Sequence, residues 1–171
     1  MILAGVSIGI LLRDTLSGQA LRSTDFSAIP AHVDFEAPSL TLRDLRGSPH
    51  SLSDYAGQVV LVNLWATWCP PCEAEMPVFQ RFYEEHRLEG FVVVAINDGE
   101  SAAQVEAFVL KHDLTFPVWL DPTYEATDRA FKTANLPTSY VIDRGGRVKL
   151  EWIGAINELT LEKTVASLIK E

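Results

Sequence analysis

Two short runs, Val59–Trp65 (VVLVNLW) and Phe91–Ile96 (FVVVAI), are almost unbroken in apolar residues. A strand covered on both faces reads this way. Between them Met76, Phe79, Phe82, Tyr83 and His86 recur at helical spacing, and Gly90 ends the pattern. Ser101 and Gln104 form a capping-box candidate for a helix through His112, with Val105, Phe108 and Val109 inward. Phe116–Leu120 predicts a short strand, and Asp121-Pro122 fits the N-cap and first turn of a small helix ending at Phe131. Ser139–Ile142 and Val148–Ile153 flank Asp143-Arg144-Gly145-Gly146, which predicts an antiparallel hairpin. Asn157 caps a last helix whose Leu161, Val165, Leu168 and Ile169 face inward. Upstream, Pro38–Leu42 and Ser48–Leu52 flank Arg43–Gly47 as a short hairpin, and Asp54–Gly57 reads as a turn. The order is β-α-β-α-β-α followed by β-β-α. That is an α/β fold with one mixed sheet and helices on both faces.

The N-terminus differs in style. Met1–Leu12 (MILAGVSIGILL) carries no charge, yet as a helix it would reach only about 18 Å, short of a hydrocarbon core of about 30 Å. No basic region precedes it. The run is read as the trailing part of a signal peptide or membrane anchor whose start lies upstream, the alternative being a short amphipathic or buried first element. Arg13–Ser27, mixed and polar without a period, reads as a tether. The organisation expected is an apolar segment over 1–12, a tether over 13–33 and one folded domain over 34–171.

Composition narrows the function classes. The 171 residues are 47% hydrophobic, which excludes disorder across the whole chain. A net charge of −9 argues against a nucleic-acid partner held by a basic surface. Two cysteines exclude a disulfide-dense scaffold.

Both cysteines lie in one phrase, Trp65-Ala66-Thr67-Trp68-Cys69-Pro70-Pro71-Cys72, where a buried strand hands over to a helix. Unpaired N–H groups and the helix dipole stabilise a thiolate at the first cysteine. The second lies one turn on and can close a small disulfide. Cys69 is therefore the expected nucleophile and Cys72 the resolving thiol. Pro70 and Pro71 fit the first helical turn, where a missing N–H costs nothing, and they stiffen the loop. A zinc site is disfavoured, because there is no second CxxC and the four histidines (His32, His50, His86, His112) are scattered. An inert structural disulfide is disfavoured because so short a loop adds little stability. The pair points to redox chemistry.

The segment Trp-Ala-Thr-Trp-Cys-Pro-Pro-Cys-Glu-Ala-Glu-Met-Pro resembles the active-site segment of thioredoxin-like proteins. Within these it is similar to the membrane-tethered, extracytoplasmic branch typified by TlpA, ResA and CcmG proteins. The resemblance covers about Phe35 to Glu171. Ala37-Pro38 with its hairpin resembles the branch's N-terminal extension. Pro77 matches a proline that kinks the active-site helix, and Ser101–Phe131 resembles a helix–strand insertion. Leu136-Pro137-Thr138 looks like the family's cis-proline loop, which implies a cis bond that aims the Leu136 backbone at an extended substrate segment. A glutamate matching Glu100 lies near the cysteines in the ResA-like group, which implies a part in proton movement. Asp98 is a weaker candidate for that role. Thioredoxins often bury an aspartate earlier in the fold, and VVLVNLW offers no obvious equivalent. Trp68 is expected on the apolar surface that a protein substrate covers, and Trp65 in the core. Glu73 and Glu75 are read as a solvated face.

What the resemblance implies is an extracytoplasmic thiol–disulfide oxidoreductase that reduces protein disulfides, apocytochrome c among the possible substrates. The Cys69–Cys72 pair is then the redox group, with no further cofactor or metal. A membrane thiol–disulfide electron donor would re-reduce it, since no nicotinamide or flavin fingerprint is present. The chain is expected to be a monomer attached to the membrane through its N-terminal segment. Two other functions stay open: a thiol-dependent peroxidase of the AhpC/TSA type, and a copper or haem chaperone using the cysteines as ligands.

Overall fold

A computed structural model describes residues 29–171. The apolar segment 1–12 and most of the expected tether lie outside the described residues. Among the described residues no helix is long and apolar enough to cross a membrane.

The strands are β1 (Ala31–Glu36), β2 (Thr41–Asp44), β3 (Pro49–Ser51), β4 (Val59–Trp65), β5 (Phe91–Asp98), β6 (Val118–Asp121), β7 (Thr138–Ile142) and β8 (Arg147–Ile153). The helices are α1 (Pro70–His86), α2 (Ala102–Lys111) and α3 (Glu158–Ile169). All strands join one sheet in the order β1-β8-β7-β4-β5-β6-β2-β3. The two apolar runs are the central parallel pair β4–β5, buried throughout except at Asp98. Strand β7 flanks β4 antiparallel and pairs antiparallel with β8 on its other side, as the hairpin requires.

The sheet separates two apolar layers. On one side Leu61 and Trp65 of β4 meet Met76, Phe79 and Phe82 of α1, Val105 and Phe108 of α2, and Leu161, Val165 and Ile169 of α3. On the other, Val60, Val62 and Leu64 are covered by Leu40, Leu52, Trp119 and Ala126. Helical segments therefore lie on both faces, unequally. All three α-helices share one face, while a 3₁₀ turn (Leu52–Tyr55) and a π-helical turn (Glu125–Ala130) cover the other.

Local signals hold well. Ser101 and Gln104 form the capping box of α2. Asn157 accepts from Thr160 N–H at 2.9 Å to cap α3. Gly90 stops α1 and its 3₁₀ tail in the left-handed conformation, φ 80°. Two features differ from the pattern reading. Strand β1 pairs antiparallel with β8, although its alternation is mostly exposed and gives no strong strand signal. Asp121 does cap the following helical turn, but by accepting from Glu125 and Ala126 N–H (2.8 and 2.7 Å). Pro122 therefore sits in the intervening loop rather than the first turn, and Tyr124 precedes the helix with φ +59°.

Candidate active site

The C-terminal ends of the parallel strands β4, β5 and β6 and the start of β7 meet at one end of the sheet: Trp65 pairs with Asn97, Asp98 with Asp121, and Leu64 with Thr138. In open α/β sheets ligands bind at that end. The loop after β4 carries the cysteines, the loop after β5 carries Glu100, and the loop before β7 carries Leu136 and Pro137.

Cys69 and Cys72 form a disulfide with a Cα–Cα distance of 5.2 Å. Cys69 is the N-cap of α1, and Pro70 and Pro71 occupy its first two positions, as the sequence predicts. The Cys72 N–H points at Cys69 Sγ at 3.3 Å, so an orphan helix-end donor already faces that sulfur. Cys72 is fully buried and Cys69 nearly so. Trp68, 69% exposed, stands beside them on the surface, while Trp65 is fully buried against Phe108 at a ring distance of 4.8 Å. The Leu136–Pro137 bond is cis. Neither the N–H nor the C=O of Leu136 has a partner among the described residues, so both are free to pair with an incoming strand.

Glu100 lies against the loop before the nucleophile. Its carboxylate accepts from Thr67 N–H at 2.6 Å, from the Thr67 hydroxyl, and from Asn97 Nδ2 at 2.7 Å. No hydrogen bond joins it to either sulfur among the described residues. Its visible task is to hold the turn that presents Cys69. Asp98 is half-buried and accepts from the Thr127 hydroxyl at 3.1 Å; burial first, and then neighbouring carboxylates, push its pKa up.

The solvated-face reading holds for Glu73, which pairs with Lys111 at 2.9 Å and His112 at 3.1 Å. It fails for Glu75, which is fully buried. Asn63 Nδ2 donates to Glu75 Oε1 at 2.7 Å and Ile156 N–H to Oε2 at 3.1 Å. Burial raises its pKa from 4.5 to about 8, the two hydrogen bonds opposing only in part. A signal for this was present: Glu75 lies three residues after Cys72 and four before Phe79, on the stripe of α1 that faces the core. The acid of this core thus stands on the helix, and β4 contributes Asn63 as its donor.

Residues 33–151 match the AhpC/TSA family. The chain belongs to that family. Within it the chain is 38% identical to the thiol-disulfide oxidoreductase ResA of Geobacillus kaustophilus over 136 residues, 80% of this chain and 78% of that protein. It is 36% identical to ResA of Bacillus subtilis over 123 residues, 72% of this chain and 68% of that protein. A crystal structure of a thiol:disulfide interchange protein of the thioredoxin family from Chlorobium tepidum superposes with a TM-score of 0.73 at 28% identity. That match covers 81% of this chain and 99% of the other. The fold is thioredoxin-like, and this AhpC/TSA member is a thiol–disulfide oxidoreductase of the ResA and DsbE type, its two cysteines joined as that chemistry requires.

Of the described residues, Glu85, His86 and Glu162 bring three potential metal-ligand atoms within 4.8 Å of one another. They gather at the C-terminal end of α1, roughly 20 Å along the helix from the cysteines.

Proposed function

We propose that this oxidoreductase acts on protein disulfides outside the cytoplasm as a reductant, attached to the membrane through its N-terminal segment. The observation that carries the reading is the cysteine pair at the start of α1, with the unpaired Leu136 backbone and exposed Trp68 beside it. The reduced protein begins with a Cys69 thiolate, favoured by the helix N-terminus and the Cys72 N–H. Cys69 attacks one sulfur of the substrate disulfide. A mixed disulfide forms and one substrate thiolate leaves. Cys72 then loses its proton and attacks Cys69 Sγ, which closes the Cys69–Cys72 bond and releases the second substrate thiolate. The substrate has gained two electrons, with two protons in the dithiol product, and the protein has lost two electrons. Glu75, a buried carboxyl one helical turn from Cys72 and poised near neutrality, is the group suited to exchange the Cys72 proton. Leu136 pairs with the extended substrate, and Pro70 and Pro71 hold the loop.

The cysteine pair is the redox group, without a separate cofactor. A membrane thiol–disulfide donor restores the dithiol, apocytochrome c is a fitting substrate class, and the protein works as a monomer. In Cys72→Ala the second step is blocked, so mixed disulfides through Cys69 accumulate and are seen as reducible adducts on gels. Absence of adducts from a folded Cys72→Ala protein would overturn the order of attack. The direction of flow is read from the reduction potential of the pair against glutathione or dithiothreitol. A value near or below roughly −270 mV supports a reductant, and one near roughly −120 mV makes the protein an oxidant.

A further inference from the structure

Beside the disulfide lies an open groove of about 390 Å³, walled by Trp68 and Leu136 on the active-site side and by Tyr124, Asp98 and Asp128 on the other. Two of its walls are exposed aromatic rings, Trp68 at 69% and Tyr124 at 46%. Tyr124 keeps its place because residue 99 is glycine: a Cβ there would come within 2.3 Å of the Tyr124 hydroxyl. The groove's charge is all of one sign. Asp121 spends both oxygens on the backbone N–H groups of Glu125 and Ala126, and Glu100 is spent on Thr67 and Asn97. Asp98 keeps Oδ2 free, and Asp128 has no hydrogen bond to its carboxylate among the described residues. Among the described residues no Lys, Arg or His forms an ion pair with any of these four acids. Arg129 and Lys132, the cations of the same segment, do not line the groove.

Aromatic faces combined with unspent carboxylates are the chemistry that recognises a cationic side chain. We propose that this groove takes a lysine or arginine of the substrate, close in sequence to the cysteine under attack. The inference rests on the redox reading above and adds a substrate class to it. A substrate strand paired with Leu136 runs along one wall of the groove, so a basic residue on that strand reaches Asp98 and Asp128 while its disulfide lies over Cys69. An acidic residue at the same place meets two carboxylates and no compensating cation.

The test uses disulfide-linked peptides identical except for Lys, Gln or Glu two residues from the cysteine, on either side, reduced by the protein in its dithiol form. The expected order is Lys, then Gln, then Glu, with the Lys peptide about fivefold to tenfold faster than the Gln peptide at low ionic strength. High salt should shrink that ratio in the unaltered protein. Asp128→Lys, a change at an exposed position, should invert the order in favour of the Glu peptide. Equal rates for the three peptides in an active protein would overturn this proposal alone. Absence of exchange with every peptide would overturn the redox reading and the proposal with it.

Discussion

Replacing Glu75 by glutamine removes a charge from the core at almost constant shape. In the folded protein this carboxyl ionises at about 8, against 4.5 for the group in water. One pKa unit corresponds to 1.36 kcal/mol, so the shift removes about 5 kcal/mol of stability once pH exceeds both values, relative to a pH below both. The direction follows from proton counting. Between 4.5 and 8 the native state holds a proton that the unfolded state releases, so stability falls as pH rises through this window. It is fully present only below 4.5. From pH 5 to pH 8 the loss from this one group is about 3 to 4 kcal/mol. Glutamine does not titrate, but it has one acceptor oxygen where Glu75 offers two, to Asn63 and Ile156. Its NH₂ must then face one of those donors, at a cost of about 1–3 kcal/mol. The two stability curves should therefore cross, with Glu75→Gln the less stable protein at pH 5 and the more stable at pH 8. Guanidinium titrations of the oxidised protein, followed by tryptophan fluorescence at pH 5, 6, 7 and 8, test this. Oxidation removes the thiols from the titration, and all other groups are common to both proteins. A stability difference that stays constant with pH would refute the reasoning.

Two further substitutions probe the loops around the disulfide. Glu100→Ala leaves the Thr67 N–H, the Thr67 hydroxyl and the buried Asn97 amide without their acceptor. It should cost about 1–3 kcal/mol and slow exchange at Cys69. A denaturation midpoint within error of the parent would make Glu100 a solvated loop residue with no hold on the turn. Gly99→Ala places a Cβ at φ +77° and against Tyr124, so a loss of about 1–2 kcal/mol is expected. Tyr124 should also swing from the groove, and a crystal structure of the variant with the ring unmoved would contradict that account.

The elements most legible in the sequence are those set by near neighbours. The double-sided strands β4 and β5, the capped helices α2 and α3, and the β7–β8 hairpin all rest on interactions within a few residues. So does the reactive pair, because a strand end, a helix start and two cysteines one turn apart are contiguous in the chain. Strand β1 was not legible: its side chains are largely exposed, and only the edge of β8 makes it a strand. Glu75 was misread for a related reason. Its neighbour Glu73 does face solvent, and the two look alike until the face of α1 is known.

The sequence by itself determined the order of elements from β2 onward, the place of the cysteines at a helix start and the chemistry they carry, because periodicity, capping and ring-size are local properties. Only the tertiary structure decided the environment of that chemistry. Glu75 acquires its raised pKa from burial, which outweighs the hydrogen bonds it accepts from Asn63 and from Ile156, 81 residues away. The groove exists because Trp68, Asp98, Tyr124, Asp128 and Leu136 arrive from separate strand ends of one sheet. Desolvation and charge grouping depend on what surrounds an atom in space, and chain order alone does not hold that information.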